Sequence, residues 1–234
     1  MKRTPPPPKR TRGAAAIEFQ IISLLVLIPL IMAIIQLGMF MIAKNTANVA
    51  TLAAARAGAA SGGDRSEMRR AFWVGLTPLY ASAAKEVTHV GTADIGSGNY
   101  AQVMGAALAY AKADTINPLF TSITVLNPTA KSFQDWGQTS GSVTIIPVTN
   151  LDATPGIGSN SKQSRADALL LKIQTRYCYE LVVPLIGELM MEVLNSPFSG
   201  ASLSDRACYA FNRIPIESQA TVRMTVPPVK SKLL

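Results

Sequence analysis

The feature that most constrains this chain is a long apolar stretch close to its N-terminus. Residues 19–43 contain no charged side chain, and only Gln20, Ser23 and Gln36 interrupt the apolar residues. As an α-helix this stretch would be about 37 Å long, which exceeds the roughly 30 Å of a bilayer's hydrocarbon core. We therefore predict a membrane-spanning helix that continues beyond the membrane to about Ala60.

The distribution of charge predicts the orientation of this helix. The chain has 22 Lys and Arg residues against 14 Asp and Glu, a net charge of +8. Five of the basic residues precede the span: Lys2, Arg3, Lys9, Arg10 and Arg12. Basic residues stay on the cytoplasmic side, so we expect the N-terminus inside and the body of the chain outside. Because the basic balance partly reflects topology and not a binding face, no nucleic-acid partner is expected.

An ordinary cleaved secretory signal fits this N-terminus poorly. The apolar run is longer than the h-region of such a signal, and no small-residue cleavage site follows it promptly. The leader also lacks the Arg-Arg pair of a twin-arginine export signal. A single-pass signal anchor is the better interpretation.

After the span the patterns change from helical to β, and this order predicts the fold class α+β. Gly62 and Gly63 predict the end of the long helix, and Asp64 with Glu67 resembles a capping box for a helix from about Arg65. The further predicted elements are a glycine-rich loop at 91–98, a helix at 100–112, strands at 122–126, 142–148, 168–183 and 214–226, a loop at 149–166 and a helix at 184–195. Together they predict an outer domain of helices and a small antiparallel sheet.

Two helical faces are notable for their small or apolar residues. The long helix carries alanines at alternating four- and three-residue spacing: Ala43, Ala47, Ala50, Ala54 and Ala57. Such a seam lets another helix approach closely, although alanine is also simply the best helix former. The helix at 100–112 is predicted to place one set of residues on one face: Val103, Ala106, Ala107 and Tyr110.

The two cysteines, Cys178 and Cys208, both follow the predicted span. In an oxidising compartment outside the cytoplasm they are expected to pair. Closing a loop of about 30 residues would contribute about 3–4 kcal/mol in the chain-entropy account. Two buried free thiols are the alternative.

The sequence offers little support for catalysis, a cofactor or a metal site. His89 is the only histidine, so neither a zinc site nor a histidine-based triad is indicated. Residues 96–101 match G-x-G-x-x-A formally, but no convincing strand precedes them. An anchored enzyme would need a pocket that gathers His89, Asp94 and Asp114. We expect no enzymatic activity and no catalytic, cofactor-binding or metal-binding residues.

One motif at the start of the span does indicate chemistry, with the chain as the substrate. Gly13 precedes Ala14, and Glu18 is the fifth residue after Gly13. Cleavage after Gly13 would remove the basic leader, keep the helix and expose a new α-amine. A carboxylate is favoured in the first turn of a helix, and a charge in a membrane needs a partner. That partner could be the α-amine of a neighbouring chain; alternatively, Glu18 only reaches back to the interface.

This motif resembles a class III prepilin signal, and the wider segment R-G-A-A-A-I-E-F with A-A-R-A-G-A is similar to the TadE-like family, pseudopilins of the tight-adherence (Tad/Flp) pilus. Looser similarity covers residues 68–81 and 168–225. The resemblance implies cleavage between Gly13 and Ala14 by a prepilin peptidase, and assembly contacts at Glu18 and Phe19. It also implies other pilin or pseudopilin subunits and an inner-membrane assembly platform as partners.

These observations lead to one functional hypothesis and one alternative. The hypothesis is a minor pseudopilin in the bacterial inner membrane that acts in pilus assembly, priming and surface adherence, with its outer domain in the periplasm. Its predicted parts are a leader at 1–13, a helix at 14–62 and an outer domain at 64–230. The alternative is an uncleaved single-pass protein whose outer domain binds an envelope partner or ligand.

Overall fold

The structure is a computed structural model that describes residues 14–81, 84, 99–149, 156–183, 186–196, 200 and 202–233. Its helices are α1 (Ala14–Ile22), α2 (Ile28–Ala60), α3 (Arg65–Leu76), α4 (Tyr100–Ile116), α5 (Ala130–Trp136), α6 (Arg165–Ala168), α7 (Ile186–Leu194), α8 (Leu203–Tyr209) and α9 (Lys230–Leu233). Its strands are β1 (Thr121–Asn127), β2 (Gln138–Ser140), β3 (Val143–Ile145), β4 (Leu170–Glu180) and β5 (Arg213–Arg223). The predicted α+β class is confirmed.

A single long helix is formed by α1, a π-helical turn at Ser23–Leu27, and α2. Pro29 lies at the start of α2 and has no N–H to donate to the preceding turn. The chain accommodates it by widening that turn, so that the Ile28 N–H donates to the Ser23 carbonyl. The π turn is how the helix accommodates the hydrogen bond that Pro29 cannot make.

The long helix ends where two glycines take positive φ angles. Gly62 has a φ of 72° and Gly63 a φ of 91°, a conformation that other residues rarely adopt. Asp64 then caps α3 by accepting a hydrogen bond from the Ser66 N–H at 2.9 Å. The predicted helix start at Arg65 is confirmed, although Ser66 is the donor that Asp64 engages, where the capping-box pattern pointed to Glu67.

α3 returns along α2 and packs on the alanine seam. Ala43, Ala47, Ala50 and Ala54 are all buried, whereas Ala57 is half-buried. The helices approach so closely that a Cβ at Gly75 would lie 2.7 Å from the Cα and Cβ of Ala50. The seam is therefore a close-approach surface, and its partner is a helix of the same chain.

This contact predicts opposite changes in the free energy of unfolding for two glycine substitutions. Gly75→Ala is expected to lower the free energy of unfolding by about 1–3 kcal/mol, because Ala50 contributes backbone atoms that cannot rotate away. Gly105→Ala on α4 is the matched control, since a Cβ there meets nothing within 4 Å. The control should gain up to about 1 kcal/mol from helix propensity. Urea unfolding of the detergent-solubilised protein would measure both, and equal signs would contradict the close contact.

The main sheet is antiparallel with the strand order β1-β4-β5. Its inward face lies against the long helix. On β4 this face carries Leu171, Ile173, Thr175 and Tyr177, which alternate along the strand and are buried. Thr175 hydrogen-bonds Thr51 of α2 at 2.6 Å across this interface. The C-terminal half of the long helix is thus part of the outer fold's core.

Several local predictions were wrong in detail. The 142–148 strand is only Val143–Ile145 and pairs with β2 in a separate hairpin. The predicted loop at 149–166 contains the start of the helical turn Arg165–Ala168. Tyr110, predicted on the packed face of α4, is exposed, and α4 buries Ala111 and Thr115 instead. The glycine-rich loop at 91–98 lies outside the described residues. Sequence reasoning also missed three short helices: α5, α8 and α9. The first two begin at Ser or Thr capping boxes, which was the available signal.

Asp135 organises the loop that precedes β4. Its carboxylate accepts hydrogen bonds of 2.7 Å from the side chain of Asn160, and from both the N–H and the hydroxyl of Ser161. These hydrogen bonds hold the pKa of Asp135 well below its usual range. The Ser161 hydroxyl has the largest effect and the Ser161 N–H the next. The charged form of Asp135 therefore stabilises this loop.

The lowered pKa predicts a pH-dependent effect of Asp135→Asn. Because the folded-state pKa is depressed, the stabilisation is fully present above the unfolded-state pKa of about 3.9 and is lost as pH falls towards the folded value. The wild type should be more stable than Asp135→Asn near neutral pH, and the difference should shrink below about pH 4. Urea midpoints across this range would show it. A difference independent of pH would contradict the role of the carboxylate.

Candidate functional site: the N-terminal helix and the base of the outer domain

The N-terminal half of the long helix is free of the outer fold. None of residues 17–35 is buried, and the apolar side chains of Phe19 and Leu25 are 70% and 72% exposed. This free segment would be about 28 Å long, close to the thickness of a hydrocarbon core. Among the described residues, the helix Ile17–Ala60 is the one long and apolar enough to span a membrane.

Gln36 marks the point where the outer fold begins to cover the helix. Its side chain is 2% exposed, and its Oε1 accepts a hydrogen bond of 2.9 Å from the Val183 N–H. Val183 is the third residue after the end of β4, and Gln36 is the first residue after the free segment. The outer fold therefore contacts the helix directly above that segment. The contact sets the height of the outer fold above the span.

The predicted processing and assembly residues lie at the other end of the free segment. Gly13 lies outside the described residues, and Ala14 is the first residue of α1. Glu18 and Phe19 are both exposed on α1. Within the described part of the chain, no ion pair involves Glu18. The geometry leaves both side chains free for a neighbour, and their roles remain predictions.

Above Gln36 the long helix keeps a second exposed surface, which we call the outer stripe. It consists of Met41, Ile42, Val49 and Leu52, all exposed apolar residues. Their spacing puts them on one face of α2, opposite the alanine seam. The stripe therefore extends the apolar surface of residues 17–35 further along the helix, on the side that the outer fold leaves open.

A buried polar cluster lies at the end of the outer fold that is nearest to residues 17–35, which we call its lower end. Asp114 accepts hydrogen bonds from the Arg213 guanidinium at 2.7 and 2.9 Å and from the hydroxyls of Tyr80 and Tyr177. Arg213 also pairs with Glu180 at 3.0 Å. Burial raises the pKa of both Tyr80 and Tyr177 well above the usual range, so both phenols keep their protons and can donate.

Next to this cluster lies a cleft of about 440 Å³ whose walls include Met39, Ile42 and Val182. Asp114 lines it, but its charge is already matched by Arg213. The other two groups that an enzyme hypothesis required, His89 and Asp94, lie outside the described residues. Among the residues that are described, no group of three or more His, Cys, Asp or Glu could hold a metal ion.

The cysteine prediction is confirmed, because Cys178 and Cys208 form a disulfide. The bond ties α8 to the outward face of β4, beside an Arg176–Asp205 ion pair of 3.6 Å. Cys178 also connects this end to β1 by donating its N–H to the Phe120 carbonyl at 2.8 Å. The disulfide is therefore a structural element of the lower end of the outer fold.

Comparison with known proteins bears on the N-terminal segment. Residues 13–56 match the family model described as TadE-like protein. Comparisons with curated proteins and with solved structures found no match. The matched segment runs from the predicted cleavage motif through the candidate span and most of α2. The looser similarity at 68–81 and 168–225 stays a prediction. The resemblance to the TadE-like family is thus confirmed at residues 13–56, a segment that contains most of the candidate membrane helix.

Proposed function

We propose that this protein is a minor pseudopilin of a Tad-type pilus, processed by a prepilin peptidase after Gly13 and active in pilus assembly, priming and surface adherence. The observation that carries the proposal is the free apolar helix at 17–35, which presents Glu18 at its start within a TadE-like segment. A helix that only anchored a domain would need no carboxylate in its first turns.

Processing supplies a partner for that carboxylate. Cleavage after Gly13 creates an α-amine on Ala14, four residues before Glu18. In a bundle of such helices, the carboxylate of one chain pairs with the amine of its neighbour. In a medium of low dielectric constant an unpaired charge is costly, so the pairing favours the bundled state.

The outer stripe provides the contact that continues above the membrane. Met41, Ile42, Val49 and Leu52 offer apolar area to a second helix, and Gly38 below them is exposed with nothing within 4 Å of a Cβ. Glycine at a helix surface permits close packing in a bilayer. Other pilin or pseudopilin subunits fit this surface, and an inner-membrane platform would bring them together.

The proposed orientation places the N-terminus in the cytoplasm and the outer fold in the periplasm of a bacterial inner membrane. The five basic residues of the leader support the cytoplasmic N-terminus. The Cys178–Cys208 disulfide supports an oxidising compartment for the outer fold. No enzymatic activity is proposed, since the two acids that line the cleft, Asp114 and Glu180, both pair with Arg213.

Site-directed cross-linking in pilus-producing cells tests the assembly role of the outer stripe. A thiol introduced by Val49→Cys and labelled with benzophenone maleimide should photo-cross-link to a second membrane-anchored subunit. The label reacts at this position alone, because the native cysteines are paired. Ile157→Cys is the matched control, an exposed apolar position on the loop before β4. Equal yields at Val49 and Ile157 would contradict the packing of this helix against other subunits.

The alternative of an uncleaved receptor-like protein draws support from the cleft beside the Asp114 cluster. In that case Gly13→Ala would leave the mature mass, the localisation and any pilus unchanged. The pseudopilin proposal expects the same substitution to block processing and to keep the basic leader on the chain. The mass of the membrane-extracted Gly13→Ala protein compared with wild type separates the two candidates.

A further inference from the structure

We propose that the lower end of the outer fold binds the surface of the bilayer directly, through apolar side chains of its own. The partner is the headgroup and upper acyl layer of zwitterionic phospholipid. The inference rests on the proposed placement of residues 17–35 in the membrane and adds a second membrane-contacting element to it.

The direction of β4 identifies which end of the outer fold faces the membrane. Near the start of β4, Leu171 lies against Gly58, high on the long helix, where an added Cβ would come within 2.8 Å of it. Near the end of β4, the Tyr179 ring packs on Phe40, with centroids 6.3 Å apart. β4 therefore runs down the helix, and its C-terminal end lies closest to the span.

The chain that follows β4 lies at the level where the free helix ends. The Val183 N–H donates to Gln36, one residue above the free segment, and α7 also contacts α2. The free segment of about 28 Å already fills a hydrocarbon core of roughly 30 Å. Residues 181–183 and α7 are therefore placed in the interfacial layer and not in bulk water.

Four apolar residues at this end are each more than half exposed, and we call them the basal patch: Leu119, Val182, Val193 and Phe211. Val182 is the second residue after β4, and Val193 lies on α7. Leu119 is next to Phe120 in the chain, and the ring of Phe120 contacts the ring of Phe211, with centroids 5.2 Å apart. Leu119 and Phe211 therefore lie at the same end as Val182. In water the apolar area of this patch would stay hydrated. An adjacent acyl layer can cover it, and this burial is favourable.

The charges at this end favour zwitterionic lipid over an anionic surface. Arg213 is engaged by Asp114 and Glu180, so it is not available to bind anionic headgroups. Glu192 on α7 is exposed beside Val193 and can stay in the headgroup layer. Among the described residues at this end, the exposed Arg206 of α8 is balanced by the exposed Glu192, so association is expected to depend on apolar contact and not on lipid charge.

Collision accessibility of spin labels tests the inference on the full chain. The protein carries one added cysteine at a time, Phe211→Cys or Val193→Cys, labelled with a nitroxide and reconstituted in phosphatidylcholine vesicles. Both labels should be shielded from a water-soluble nickel complex and open to oxygen, as for immersion by about 5–10 Å. Ile157→Cys, on the loop before β4, is the control and should remain fully open to the nickel complex.

The outcomes separate this inference from the proposed membrane span. A label at Leu25→Cys reports the span itself, and if it too is open to the nickel complex, the anchoring is wrong as well. If the Leu25 label is immersed while those at Phe211 and Val193 match Ile157, the basal contact alone is overturned. Shielding accompanied by spin–spin broadening that disappears on dilution with lipid would assign the patch to a second copy of this chain and would also overturn it.

Discussion

Replacing Glu18 with alanine is expected to leave processing intact and to reduce incorporation of the protein into pili by about a hundredfold or more. The reason is electrostatic: each mature chain would bring an α-amine into the bundle without the carboxylate that neutralises it. Breaking such a pair on one side costs about 3–5 kcal/mol, and 1.4 kcal/mol corresponds to a tenfold change in an equilibrium constant. Quantitative blotting of sheared pili against membranes would measure the loss.

The control for this experiment is Gln20→Ala, an exposed polar position one half-turn further along the same helix. It changes the polarity of α1 without changing its charge, so assembly should stay near the wild-type level. Glu18→Gln should behave like Glu18→Ala, because an amide cannot neutralise the amine. Wild-type amounts of pili with Glu18→Ala would show that this carboxylate only reaches the membrane interface.

Asp114→Ala is expected to cause the largest loss of stability among the single substitutions considered. Asp114 neutralises Arg213 in a site where both side chains are nearly buried, 12% and 14% exposed. Removing it leaves a guanidinium and two phenols without their shared acceptor, which costs about 3–5 kcal/mol. Urea unfolding of the detergent-solubilised protein, followed by tryptophan fluorescence, would measure the change.

Glu180→Ala is the matched control, since Glu180 contacts the same arginine but is 68% exposed. A pair of that exposure contributes less than about 1 kcal/mol. Combining Asp114→Ala with Arg213→Met should recover part of the lost stability, because it removes the unpaired charge. If Asp114→Ala costs no more than Glu180→Ala, the cluster does not stabilise the lower end of the fold as described.

The sequence was most informative where local patterns are strong. The span, its end at Gly62 and the start of α3 after Asp64 follow from apolar length, positive φ and capping, which act within a few residues. The strand predicted at 168–183 is observed at Leu170–Glu180, and its residues alternate because one face meets the long helix and the other does not. Short elements such as β2 and α9 gave no periodic signal, since each has only one turn or three residues.

The parts that could not be predicted depend on contacts between distant residues. Nothing around Gln36 indicates Val183, which lies 147 positions away, yet this hydrogen bond sets the height of the outer fold. The Asp114 cluster likewise joins Tyr80, Tyr177 and Arg213 from three separate elements. The basal patch depends on the direction of β4 along the helix, and periodicity does not contain that information.

Processing at Gly13 is the central claim, and the mature N-terminus tests it most directly. Intact mass and N-terminal sequencing of protein extracted from the membrane of pilus-producing cells would provide the measurement. The account predicts a chain that begins at Ala14 and lacks residues 1–13, with the Cys178–Cys208 bond intact. A chain that still begins at Met1, in cells whose prepilin peptidase is active, would contradict it.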